Sequence, residues 1–113
     1  MAFRKEKLSS LLTELISEYM KTRVQSPSSA ITITRLEISD DFKKVVIFVT
    51  MYPEDTQRET MRILKKERVK LRKTVGKSLT TKFIPSFEFR IDEGEKSRQR
   101  IEELIKEWKK NNA

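Results

Sequence analysis

The 113 residues predict an α+β fold, a three-stranded sheet with helices packed on one face in the order α-β-β-α-β-α, the second helix bent. Three observations lead there. Apolar residues recur at three-and-four spacing in three stretches, β-branched and aromatic residues alternate with polar ones in three short runs, and turn-forming residues separate the two kinds of segment.

Leu8, Leu11, Leu12, Leu15, Ile16 and Tyr19 lie on one face of a helix running roughly from Phe3 to Arg23. Gln25-Ser26-Pro27-Ser28-Ser29 stops it, because Pro27 lacks the amide a continuing helix needs. Ile31 to Ile38 alternates as a strand, with an apolar phase shift between Ile33 and Leu36 that a bulge near Thr34 absorbs. Ser39-Asp40-Asp41 supplies turn chemistry, and Val45 to Met51 forms the second strand of an antiparallel hairpin. Val46 and Phe48 point away from Val45, Ile47 and Val49, so this strand reads as central or covered on both faces.

Thr56 followed by Glu59 fits a capping box opening the second helix. Met61, Leu64, Leu71, Val75 and Leu79 share its inner stripe, which fails where Glu67 and Arg68 stand. Either a bend near residues 67–69 or a straight helix with a poorly packed turn is expected. Pro85, Phe87, Phe89 and Ile91 mark the third strand, with the proline at its tolerated start. Ile101, Leu104, Ile105 and Trp108 mark a final helix at about 94–110, acidic at its start and basic at its end as the helix dipole favours, with Trp108 expected to cap the core. The whole, residues 1–113, is expected to be a single domain.

Without Cys or His, the usual zinc, haem and neutral-pH proton-transfer ligands are missing, so no cofactor or metal is expected. Asp40 and Asp41 have turn formation as sufficient explanation, and no catalytic constellation is found. The start of the chain lacks a signal-peptide run and no stretch is long enough to cross a bilayer, so a cytoplasmic, membrane-free protein is expected.

The net charge of +8 is concentrated. Arg58 to Lys82 holds ten Lys or Arg against two Glu, while residues 1–57 balance eight against eight and residues 83–113 seven against seven. Arg58, Arg62, Lys65, Lys66, Lys70, Lys73, Lys77 and Lys82 can project from the outer sides of the helical region toward phosphates. Arg72 is a candidate for bidentate phosphate contact, and Gly76 for an uncovered backbone beside Lys77 or for tight packing of helix on sheet. This distribution favours RNA binding through shape and backbone. The alternatives are a protein-interaction module using the open sheet face or the final helix, its charge serving solubility, and duplex DNA binding.

Several runs resemble the bacterial ribosome-binding factor A family across residues 4–105. Ser26-Pro27 is similar to the family's Asp-Pro turn, and Ile33-Thr34-Arg35-Leu36-Glu37-Ile38-Ser39-Asp40-Asp41-Phe42 to its following strand and turn. Leu71-Arg72-Lys73-Thr74-Val75-Gly76-Lys77-Ser78-Leu79, then Lys82-Phe83-Ile84-Pro85-Ser86-Phe87-Glu88-Phe89 and Asp92, resemble its glycine and proline-x-leucine-x-phenylalanine run. Arg100-Ile101 matches its closing pair. The resemblance implies a KH-like fold, type II related, in a monomer that is not an enzyme. It also implies binding to 16S ribosomal RNA in the free or immature 30S subunit during late assembly, and support of growth in the cold. Two departures stand out: Glu67-Arg68-Val69 replaces the family's alanine-x-glycine kink, and the KH Gly-x-x-Gly is absent.

Overall fold

The computed structural model describes residues 2–24, 30–79 and 84–111. Six principal elements follow in the expected order, α1 (Ala2–Arg23), β1 (Ala30–Ile38), β2 (Lys44–Tyr52), α2 (Gln57–Ser78), β3 (Ser86–Ile91) and α3 (Glu93–Asn111), with a short 3-10 turn (Glu54–Thr56) before α2. The Ser26-Pro27 stop lies outside the described residues.

The sheet order is β1-β2-β3. β1 and β2 form the expected antiparallel hairpin, and the register shifts between Ile33 and Arg35, where the apolar phase slips. The extra residue, Thr34, turns its hydroxyl to Phe48 O and Asp92 Oδ2. The hairpin turn is held as its composition implies: Ser39 Oγ donates to Asp41 Oδ1, which also accepts the Lys43 amide. β3 returns parallel to β2, pairing Val45 with Phe87 and Ile47 with Phe89, because α2 carries the chain back across the sheet.

One sheet face and two helices make the core. Leu12, Ile16 and Tyr19 of α1 and Leu64, Leu71 and Val75 of α2 meet Val45, Ile47, Val49 and Met51 of β2 and Phe87 and Phe89 of β3. Each fully buried aliphatic side chain contributes about 1.5–3 kcal/mol through its removal from water. Leu11, expected on the buried face of α1, is instead 41% exposed. β2 is central and nearly continuously buried, and on its far face Arg35 lies over the Phe48 ring at 3.7 Å.

Three local expectations are revised. The capping box at the start of α2 does not form: the Thr56 hydroxyl donates to Pro53 O, closing the 3-10 turn, and caps no amide of the helix. Of the two alternatives at residues 67–69, the bend gives way to the straight helix with a thinly packed turn: α2 continues unbroken, with Arg68 and Val69 exposed. Glu67 meets a partner there, accepting a 2.6 Å hydrogen bond from Tyr19 of α1, so the polar residue needs no break to reach water. Trp108 does not cap the core but is 65% exposed. Helices α1 and α2 cover the sheet, whereas α3 buries none of its residues. Its first turns are tied down by polar contacts: Asp92 Oδ1 accepts the Glu95 amide as an N-cap, and Lys96 and Arg100 pair with Glu54.

A basic helix beside an edge strand

With Thr60, Leu64, Leu71 and Val75 turned inward, the opposite side of α2 faces solvent. Arg58, Arg62, Lys65, Lys66, Lys70, Arg72, Lys73 and Lys77 are all exposed. The fold therefore brings these eight of the ten candidate residues onto one helix surface. Among the described residues, every ion pair takes its Lys or Arg from outside α2, namely Lys5, Arg35, Lys44, Arg90, Lys96, Arg98 and Arg100. The positive field of α2 is thus left uncompensated at close range.

The two other candidates stand apart. Lys82 lies outside the described residues. Gly76 is half-buried, and a Cβ built on it would overlap Ile84 Cδ1 and come within 3.2 Å of Cγ1. Of the two readings of this glycine, tight packing has a contact behind it, with the Ile84 side chain at the segment entering β3.

Arg72 is also more constrained than a free phosphate fork. Its Nη2 donates to Ile84 O at 2.9 Å and its Nε to Pro85 O at 3.3 Å, so it anchors the strand entrance with donors that bidentate recognition would need.

Between α2 and the free edge of β3 runs a groove of about 520 Å³, lined by Lys44, Arg68, Val69, Arg72, Lys73, Ile84, Ser86, Phe87 and Glu88. Its rim is basic and its floor apolar. Lys44 is partly neutralised by Glu88, whose carboxyl is held below its ordinary range by hydrogen bonding to Lys44 and by the charge of Arg90. Arg68, Arg72 and Lys73 supply the remaining positive charge. Arg68 and Val69 were missed as site residues because Arg68 read as a fault in the apolar stripe, and only the position of β3 shows that both border a groove. Phe87 and Phe89 are each 5% exposed, which closes them as free stacking platforms.

No described helix is long and apolar enough to cross a membrane. Two helices on one face of a mixed three-stranded sheet, with a basic helix beside the edge strand, define a KH-like α+β protein. The chain belongs to the ribosome-binding factor A family, whose family model matches residues 4–105. The ribosome-binding factor A of Thermodesulfovibrio yellowstonii is 33% identical over 108 residues, covering 95% of this chain and 92% of its own. That of Dictyoglomus thermophilum is 35% identical over 107 residues, covering 92% and 89%. Among solved structures, the crystal structure of ribosome-binding factor A from Thermus thermophilus superimposes with a TM-score of 0.69 at 18% identity, covering 77% of this chain and 93% of that one. A homology model of the same organism's factor, fitted into the cryo-EM map of a 30S complex, gives 0.63 at 17% identity, covering 74% and 90%. At these identities the structures speak for the fold.

Proposed function

We propose that this protein binds 16S ribosomal RNA in the maturing 30S subunit and acts by position, not by catalysis. Family membership supports the partner, since a relative of the same fold is described in complex with the 30S subunit. The observation that carries the site is the exposed row of α2 cations with no carboxylate paired to any of them among the described residues.

Arg58, Arg62, Lys65, Lys66, Lys70, Lys73 and Lys77 follow phosphates along a folded RNA, releasing counterions as they do so. Arg68 and Lys73 turn the strand toward the α2–β3 groove, where Val69 and Ile84 offer an apolar floor to a sugar or base face. Arg72 keeps that groove open by holding Ile84 and Pro85, and Gly76 keeps the same segment close to α2. Recognition of this kind reads shape and backbone, with little base code. Bound in this way, the domain stabilises one local arrangement of the RNA until assembly is complete. The protein acts as one cytoplasmic domain.

The test compares wild type with Lys73→Glu/Lys77→Glu for binding to isolated small subunits, to unrelated structured RNA and to duplex DNA across a salt series. The double variant is expected to lose at least about tenfold in subunit affinity at moderate salt. Unchanged association would remove α2 from the interface, and equal competition by duplex DNA would replace the RNA reading.

A further inference from the structure

The far half of α3 carries a feature that RNA binding leaves unused. Every residue from 101 to 111 is exposed, and the molecule reaches 57 Å in its longest dimension against 32 and 19 Å in the others. On this half, Ile101, Leu104, Ile105 and Trp108 form a continuous apolar stripe at helical spacing, exposed by 58, 64, 48 and 65%. An apolar patch of this kind, on the order of a few hundred Å², marks an interaction surface. Its flanks are charged in a particular order. Glu102 and Lys109 border one side of the stripe, and Arg100 and Glu107 the other.

We infer that this stripe pairs with the same stripe of a second copy, the two α3 helices running antiparallel. Laid in that direction with Leu104 opposite Ile105, Ile101 of each copy meets the broad Trp108 ring of the other. Both flanks then become complementary at once, Glu102 facing Lys109 and Arg100 facing Glu107, each twice by the two-fold symmetry. Arg100 is also shared with Glu54, and Glu102 already receives Arg98 within its own helix, so the Glu102–Lys109 contact carries the discriminating power. The antiparallel direction opposes the helix dipoles and sends the two sheet-bearing bodies to opposite ends. A parallel pair would bring both bodies together at one end of helices only about 8–10 Å apart. The stripe is smaller than the ~800 Å² per partner of a standard interface, so the pairing is weak, with a dissociation constant on the order of tens of micromolar.

Sedimentation of the intact protein from about 5 to 500 µM tests this, with the emission of Trp108, the sole tryptophan, as a second signal. Wild type is expected to pass from monomer to dimer while the emission shifts to the blue. Lys109→Glu alone and Glu102→Lys alone each place like charges face to face, and each is expected to weaken association at least tenfold. An equimolar mixture of the two variants restores both flanking pairs in the antiparallel arrangement and is expected to regain dimerisation; a parallel pair stays mismatched in that mixture. Because the chain has no cysteine, Ile105→Cys near the two-fold axis is expected to cross-link on oxidation and Trp108→Cys is not. A monomeric mass across the whole range, a mixture that stays monomeric, or Trp108 protection that appears only when small subunits are added would overturn the inference.

Discussion

The Tyr19 hydroxyl of α1 donates a 2.6 Å hydrogen bond to Glu67 Oε2 of α2, so the carboxylate that interrupts the apolar stripe of α2 is also what ties the two helices together. Tyr19 is 4% exposed, and burial followed by the hydrogen bond to Glu67 pushes its phenol up to about 12. Glu67→Leu strands the buried hydroxyl and is expected to cost about 1–3 kcal/mol, whereas the same change made in a Tyr19→Phe background, where both partners are apolar, is expected to be close to neutral. Urea unfolding of the four proteins gives the coupling; equal costs in both backgrounds would show that the bond holds nothing. Because the folded phenol titrates above its ordinary value of 10, this contribution is complete below pH 10 and fades as pH rises toward 12. Absorbance titration of a Tyr52→Phe protein, in which Tyr19 is the remaining phenol, should show the raised midpoint.

Gly76 sets two effects against each other. Alanine there gains about 1 kcal/mol of helix propensity, but its Cβ meets Ile84, and overpacking of this kind costs about 1–3 kcal/mol. The clash is expected to win, so Gly76→Ala lowers stability. Ile84→Val removes the Cδ1 atom that lies closest, and in that background the same glycine change is expected to become neutral or stabilising. A Gly76→Ala that stabilises the otherwise unaltered protein would mean that Ile84 swings aside freely.

Local pattern and distant partnership separate what the chain reveals from what it conceals. The bulge at Thr34 was legible because alternation slips there, and the order of elements because each has its own period. The direction of β3 was hidden, since alternation is the same in parallel and antiparallel strands. The partner that Glu67 finds, Tyr19, is far from it in sequence, and the loop contacts of Arg72 depend on how β3 is entered. The stripe on α3 misled for a different reason: apolar spacing shows that a face seeks a partner but not that the partner lies in the same core. Of the proposed binding surface, the row of cations could be read from charge counts, while the groove with Arg68 and Val69 could not, because it exists only where α2 passes the edge of β3.

Salt dependence should tell phosphate-facing cations from paired ones. Arg62→Ala, Lys66→Ala and Lys73→Ala are each expected to flatten the slope of log affinity against log salt by about 0.7–0.9 for the small subunit. Lys5, held by Asp40 at 2.7 Å on the hairpin turn, is the control, and Lys5→Ala is expected to leave the slope unchanged. If Lys5→Ala flattened the slope as much as the α2 changes, net charge rather than the α2 surface would be responsible.

Glu54 links the turn before α2 to the start of α3 and should make that attachment sensitive to acid. Hydrogen bonds from Arg100 and then Lys96 hold its carboxyl down at about 2, against an ordinary 4.5. With the folded value depressed, the contribution is complete above about pH 4.5 and is lost as pH falls toward 2. Asp92 and Glu95 are lowered as well, by their own contacts, so wild type alone cannot isolate Glu54. The comparison is with Glu54→Gln, which keeps the shape of the side chain but does not titrate. Between pH 4.5 and 2 the amides of α3 are expected to lose protection from exchange more steeply in wild type than in the variant. Because the group is partly exposed, that difference should shrink at high salt, where surface charges are screened. Parallel acid profiles for the two proteins at low ionic strength would show that Glu54 does not hold α3 in place.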